Sequence, residues 1–198
     1  MNLDLSAFEP IALMLTIGAA ISLLLTSNWR LFLLALAIQY LGVFVLVTSH
    51  WPVGLAAVKV VVGWMTVAIL GSSESGEDFQ LPFSASRMGL IFRFITITIV
   101  GVLVYVFSSY FAEWLGISEI VALSGLLLSA GGILQIGFSG SILRRIVGLL
   151  SVLSGFEIIF APLSDSVLLA GLIAVVHLGI GLAETYWINL DNDEKVSI

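Results

Sequence analysis

Residues 149–162 read LLSVLSGFEIIFAP, an apolar run with a single carboxylate, Glu157, in its interior. No other charge stands between Arg145 and Asp165. Such a run predicts a membrane-spanning helix, because a hydrocarbon core ~30 Å thick takes about 20 apolar residues in helical form. A charge near the centre of that core costs at least ~2.5–3.5 kcal/mol. Glu157 is therefore expected to face protein or water and to have a partner or a task there.

The rest of the chain has the same character. Of its 198 residues, 60% are hydrophobic and 10% charged. The mean hydropathy is +1.17, far above what a soluble domain of this size would show. Backbone groups inside lipid must be satisfied internally, which leaves helices or a closed barrel. Long continuous runs, in place of ten-residue alternation, select helices. The expected fold is an all-α integral membrane protein of about seven transmembrane helices. They are predicted near 8–26, 31–49, 53–71, 89–110, 120–138, 143–163 and 167–188. The tail NLDNDEKVSI is expected to be polar and exposed. With no cysteine in the chain, disulfides, iron–sulfur ligation and thiolate chemistry are excluded within it. The start, MNLDLSAFEP, lacks the basic region of a signal peptide, so the first helix is expected to be retained.

Basic residues set an expected orientation. Arg30, Arg87, Arg93, Arg144, Arg145 and Lys195 all fall on one side of this seven-span arrangement. The other side has His50 and the acids Asp4, Glu9, Glu113, Glu119 and Asp165. The positive-inside rule then places the N-terminus outside and the C-terminus in the cytoplasm or its equivalent.

The seventh basic residue, Lys59, breaks that pattern because it lies within the third run, in VGLAAVKVVVG. His177, in LIAVVHLGIG, and Glu184, in GLAETYW, join Glu157 in the last two runs. Lys59 has two readings, one snorkelling outward past His50 and Trp51 and one pairing inside. Glu184 and Arg93 lie close enough to helix ends to reach the interface. Glu157 and His177 lie deeper, as hydrogen-bonded structural groups or as members of a proton relay. One Glu and one His are too few ligands for a preformed metal site. No phosphate-binding loop or nucleophile–base pattern is present, so no enzyme active site and no cofactor are expected in this chain, and no nucleic-acid partner.

Shifting the sequence by 118 residues lays AAVKVVVG (56–63) on AVVHLGIG (174–181). Lys59 then falls on His177, Gly63 on Gly181, and Gln39 on Glu157. This predicts a parallel internal repeat of three helices. The chain divides into an N-terminal three-helix half (1–71), a loop and linking helix (72–118), and a C-terminal three-helix half with a polar tail (119–198).

RRIVGLLSVLSGFEIIFAPL and LIAVVHLGIGLAE resemble the NuoK/MrpC group, small membrane subunits of complex I, Mrp-type antiporters and membrane-bound hydrogenases. The group has a basic loop, a helix of the type GxLxGxE, then a helix of the type AAxEAAxGLA. Glu157 falls on the first glutamate and His177 where the second stands, with GLA (181–183) in register. This resemblance covers about residues 130–188. In overall layout the chain is similar to hydrogenase-4 component E, which has extra N-terminal spans and an early lysine that Lys59 matches. Two positions depart from the pattern: histidine replaces the second glutamate, and LSGFE stands where the hydrogenase relative has an acid-Asn-Gly motif.

The resemblance implies an accessory subunit, not itself an enzyme, in a complex-I-like, Mrp-like or membrane-hydrogenase-like assembly. Its partners would be membrane lipid and antiporter-like chains of the NuoL/MrpA/MrpD type. Its proton (or sodium) path residues would be Glu157 and His177, with Lys59 and Gln39 in the first half and Glu184 as a lesser member. The alternatives are a stand-alone small secondary transporter or channel, and a purely structural membrane subunit. Small residues in LSGLLLSAGG (123–132) suit close helix packing in the latter case. A seven-helix retinal protein is set aside because the last run holds no lysine for a Schiff base. A paired-histidine haem site is set aside because His50 lies at an interface and His177 is alone in its run.

Overall fold

Among the described residues, apolar runs punctuated by Pro, Gly, Ser and Asn fold into seven helices. The computed structural model describes residues 8–73, 87–138, 141–164 and 166–196, apart from the side chains of 73, 87, 184, 185 and 187–196. The helices are α1 (Glu9–Leu25), α2 (Trp29–Thr48), α3 (Val53–Ser73), α4 (Arg87–Leu115), α5 (Glu119–Phe138), α6 (Ile142–Phe160) and α7 (Val167–Val196). Among the described residues there is no strand. Four segments among the described residues are long and apolar enough to cross a membrane: Trp29–Thr48, Val53–Ser72, Met88–Leu115 and Glu119–Phe138. The apolar parts of α1 (Glu9–Leu25) and α7 (Val167–Ala183) are shorter. In α6 the apolar run shares its helix with Arg144, Arg145 and Glu157.

Local chemistry sets the helix ends. Pro10 opens α1, where a missing N–H does no harm. Asn28 caps α2 by accepting from the Arg30 N–H at 2.9 Å, and Ser141 caps α6 by accepting from the Arg144 N–H at 3.4 Å. α4 ends at Gly116, whose φ of +67° suits a residue without Cβ. The N–H of Ile117 donates to the Ala112 carbonyl at 3.1 Å and that of Gly116 to the Glu113 carbonyl at 3.3 Å. That pairing closes the helix as a Schellman motif. At the C-terminus, α7 runs on to Val196, through most of the segment expected to be an exposed tail. NLDNDEKV has neither Gly nor Pro, so nothing in it stops a helix already under way.

α5 and α6 form the tightest pair. They are antiparallel, with Gly132 against Gly148 and Gly125 against Gly155, each pair seven residues on from the other. A Cβ on Gly132 would strike the Gly148 carbonyl and, at 2.8 Å, the Val152 side chain. One on Gly125 would meet the Gly155 carbonyl at 2.8 Å. Small residues at this spacing let two backbones touch. α1 packs on α2 and α5, α2 on α3 and α6, and α7 on α3 and α6. α4 leans on α5 alone among its main contacts and leaves Ile95, Ile99, Val102, Leu103, Val106 and Tyr110 exposed. Between α1, α4 and α5 an apolar crevice of ≈ 430 Å³ remains.

The two ends of the bundle differ in charge. At one end Arg93 of α4 donates to the Leu24 carbonyl at 3.4 Å and the Phe138 carbonyl at 3.1 Å, closing the C-terminal ends of α1 and α5. Arg144 of α6 donates to the Thr26 carbonyl, just past α1. Cations at helix C-termini meet both unfilled carbonyls and the negative end of the dipole. Their guanidiniums also lie over rings, Arg93 over Phe138 at 5.3 Å and Arg144 over Phe32 at 4.9 Å. At the opposite end the indole N–H of Trp51 donates to the Ser164 carbonyl at 3.0 Å. There too the Ser109 hydroxyl donates to the Glu119 carboxylate at 2.6 Å.

Candidate functional site

Three helices each bring one ionisable side chain to a common point. Lys59 comes from the second turn of α3, Glu157 from the last turn of α6, and His177 from the third turn of α7. All three are buried, with 3%, 2% and 0% of their surface exposed. The Lys59 ammonium forms an ion pair with the Glu157 carboxylate, and its nitrogen also lies 2.9 Å from His177 Nε2. The other ring nitrogen, Nδ1, is 2.8 Å from the Ile173 carbonyl. A carbonyl can only accept, so Nδ1 carries the hydrogen and Nε2 offers its lone pair to Lys59. The Ser154 hydroxyl lies 3.5 Å from the same Nε2. Lys59 is thus the hub, donating to a carboxylate on one side and an imidazole on the other. This is the inward one of the two placements open to it.

Tyr40 of α2 closes the cluster from the side. Lys59 Nζ stands 5.4 Å from its ring centre, and its ring meets the His177 ring edge-on at 6.2 Å. The Tyr40 ring sits against Gly63, where a Cβ would overlap it. That contact lets α2 approach α3 at the level of the cluster. The Tyr40 hydroxyl is buried and has no hydrogen-bond partner among the described residues.

Gln39, one residue earlier on α2, is the position that the 118-residue shift lays on Glu157, and its partner is on α6. Its amide exchanges hydrogen bonds with the Ser151 hydroxyl of α6, at 3.2 and 3.3 Å. It bonds to neither Lys59 nor Glu157. Ser151, Ser154 and Glu157 follow one another at three-residue steps along α6. Gln135 of α5 is buried beside this pair, sharing a small cavity with Gln39 and Ser151. Glu184 lies on α7, and its side chain is outside the described residues.

Of the five residues singled out in the sequence, the structure brings Lys59, Glu157 and His177 into contact and sets Gln39 farther along α6. Tyr40, Ser151, Ser154 and Gln135 were missed, because Ser, Gln and Tyr in an apolar run give no charge signal. Arg93 and Arg144 were taken as interfacial or loop residues, yet both are buried against helix ends. Arginine in a first or second helical turn, after a preceding helix terminus, was the available signal. Among the described residues, no group of three or more His, Cys, Asp or Glu could hold a metal ion.

Chemically, the cluster is a closed charge pair with a neutral base attached. Proton exchange among carboxylate, ammonium and imidazole needs no change in heavy-atom positions, because the hydrogen bonds already exist. Comparison of the chain with protein-family profiles, with curated proteins and with solved structures gives no match.

Proposed function

We propose that the chain is an integral membrane subunit that crosses the bilayer seven times and carries part of a proton path. The observation that carries this reading is the convergence of Lys59, Glu157 and His177, from three helices, on one buried hydrogen-bonded cluster. Intramembrane ionisable groups that face the bundle interior and pair with one another mark ion pathways and proton relays. The resemblance of residues 130–188 to NuoK/MrpC-type subunits, and of the whole layout to hydrogenase-4 component E, supports an accessory role in a larger assembly. In that reading redox chemistry belongs to other chains, and antiporter-like subunits are the neighbours. The outer side of α4, rich in exposed aromatic and aliphatic side chains, offers lipid or such a neighbour a matching surface.

The orientation follows the same reading, with the N-terminus outside and the C-terminus cytoplasmic. Arg93 and Arg144 lie together at the end that the positive-inside rule assigns to the cytoplasm. Glu119 and Trp51 mark the outer end. The packing of α1 on α5, α2 on α6 and α3 on α7 supports a repeat of three helices related by the 118-residue shift. Lys59 and His177 then meet across the repeat interface, where transporter folds often place their sites.

A second reading, a structural clamp, is favoured by the completeness of the ion pair: Glu157 and Lys59 neutralise each other and would hold α3 to α6 without moving any proton. Gentle-detergent purification of the tagged protein, with mass spectrometry of the co-purifying chains, tests the accessory role. Stoichiometric recovery of antiporter-like or hydrogenase-type membrane subunits supports it. Recovery of this chain alone contradicts it and favours a small stand-alone transporter.

A further inference from the structure

A small cavity lies between α1, α2, α5 and α6, walled by Ala20, Leu23, Leu128, Gly131 and Gly132 and by three polar side chains, Gln39, Gln135 and Ser151. The space open to the centre of a water molecule is ≈ 10 Å³. That is about the room one water needs, and a buried water requires two to four polar partners. Here two amides and a hydroxyl line the cavity, all three buried within the bundle. No acid lines the cavity, so the site suits a neutral guest better than a cation.

The position of this cavity gives it meaning. The Gly132–Gly148 contact sets the register of α5 on α6, which puts Gln135 level with the start of α6 near Arg145. Glu157 is near the other end of α6. Twelve residues separate those levels, or roughly 18 Å at 1.5 Å per residue, in a hydrocarbon core of roughly 30 Å. Between them the polar groups form a file. Lys59 joins Glu157 to His177, and His177 approaches Ser154. Ser151 lies one turn further along α6 and holds Gln39. The cavity fills the step from Gln39 and Ser151 to Gln135.

We infer that this cavity is a binding site for one water molecule, held by Gln39, Ser151 and Gln135. The water continues the file from the Lys59–Glu157–His177 cluster along the bundle axis to the arginine-bearing end. The water site stands on the cavity and its polar lining; its role as a relay rests on the proton-path reading. Hydrogen bonds join Lys59 to His177, His177 to Ser154, and Ser151 to Gln39. Between Ser154 and Ser151, one helical turn apart, a proton crosses only when the hydroxyls rotate toward each other or a second water bridges them. No redox step is involved.

Gly131 supplies a steric probe that removes no polar group. A Cβ there would meet only Ala20, at 3.8 Å, an ordinary contact, and Gly131 lines both this cavity and the apolar crevice between α1, α4 and α5. Gly137, on the same helix, has open space around its Cβ and serves as the control. The experiment is water-edited solid-state NMR of the full-length chain in lipid bilayers, reading transfer from water to the side-chain amides of Gln39 and Gln135. Wild type and Gly137→Ala are expected to show fast transfer, and Gly131→Ala a several-fold slower one. Should Gly131→Ala fail to fold, Ser151→Ala takes its place, with the same loss expected at Gln39. Absent transfer in wild type overturns the water site, as does transfer at Gln39 that stays unchanged in both Gly131→Ala and Ser151→Ala. Amide shifts that track sodium concentration overturn it in favour of a cation. Proton flux in proteoliposomes containing the co-purifying subunits separates the two claims. Flux insensitive to Glu157→Gln rejects the proton path while leaving the water. Flux lost in Glu157→Gln but intact in a dehydrated Gly131→Ala rejects only the relay role.

Discussion

Lys59 and His177 are 118 residues apart in the chain and 2.9 Å apart in space, and Lys59 turns its other side to Glu157. One ammonium therefore ties α3 to both α6 and α7. These bonds help to fix which faces of the three helices meet.

Removing one charge of the pair leaves the other buried and uncompensated. Glu157→Gln or Lys59→Met is expected to lower stability by about 3–5 kcal/mol. The double variant Lys59→Met/Glu157→Leu removes both charges and is expected to return close to wild type, because well-packed apolar replacements of a buried pair are often neutral or stabilising. Thermal unfolding in mild detergent, run as a double-mutant cycle, measures both. Additive losses in the double variant would contradict the pairing.

His177 is expected to be a neutral imidazole with its hydrogen on Nδ1, bonded to the Ile173 carbonyl. Its ¹⁵N resonances in the labelled protein should show a protonated Nδ1 and an unprotonated Nε2. The opposite tautomer would mean that Lys59 does not donate to it.

At Tyr40 the ring does the packing and the hydroxyl has no described partner. Tyr40→Phe is expected to leave stability unchanged or raise it slightly, since it deletes a buried hydroxyl without stranding another group. Tyr40→Leu should lower it by more than about 1 kcal/mol through the loss of aromatic packing and the cation–π contact. Thermal unfolding distinguishes the two. A large loss in Tyr40→Phe would show that the hydroxyl is in use.

The glycine contacts between α5 and α6 predict a position-dependent result. Gly132→Ala and Gly125→Ala push a methyl group into facing backbone and should destabilise by about 1–3 kcal/mol. Gly137→Ala meets nothing and should be neutral or slightly stabilising. The same unfolding assay checks all three.

Much of the helical layout was legible because a bilayer-length apolar run is a strong signal, and polar breaks such as SNWR and SHWPVG are unambiguous. Lys59, Glu157 and His177 stood out for the same reason: a charge in such a run is rare and costly. Which of them touch was not legible, since that depends on how α3, α6 and α7 are set against one another, which no single run reveals. Gln39 shows the limit. The 118-residue shift made it the counterpart of Glu157, an equivalence that names no partner, and its partner is Ser151, a residue with no outlying polarity. The helical stretch through NLDNDEKV was also unread, because its polarity spoke for exposure and said little about backbone conformation.

The most direct test of the central claim is proton flux through the chain with its co-purifying subunits in proteoliposomes, comparing wild type with Lys59→Met/Glu157→Leu. That variant keeps the packing and removes the titratable pair. A proton path through the cluster predicts wild-type stability with flux reduced at least tenfold. Wild-type flux in a stably folded double variant would contradict it and leave the cluster as a structural clamp.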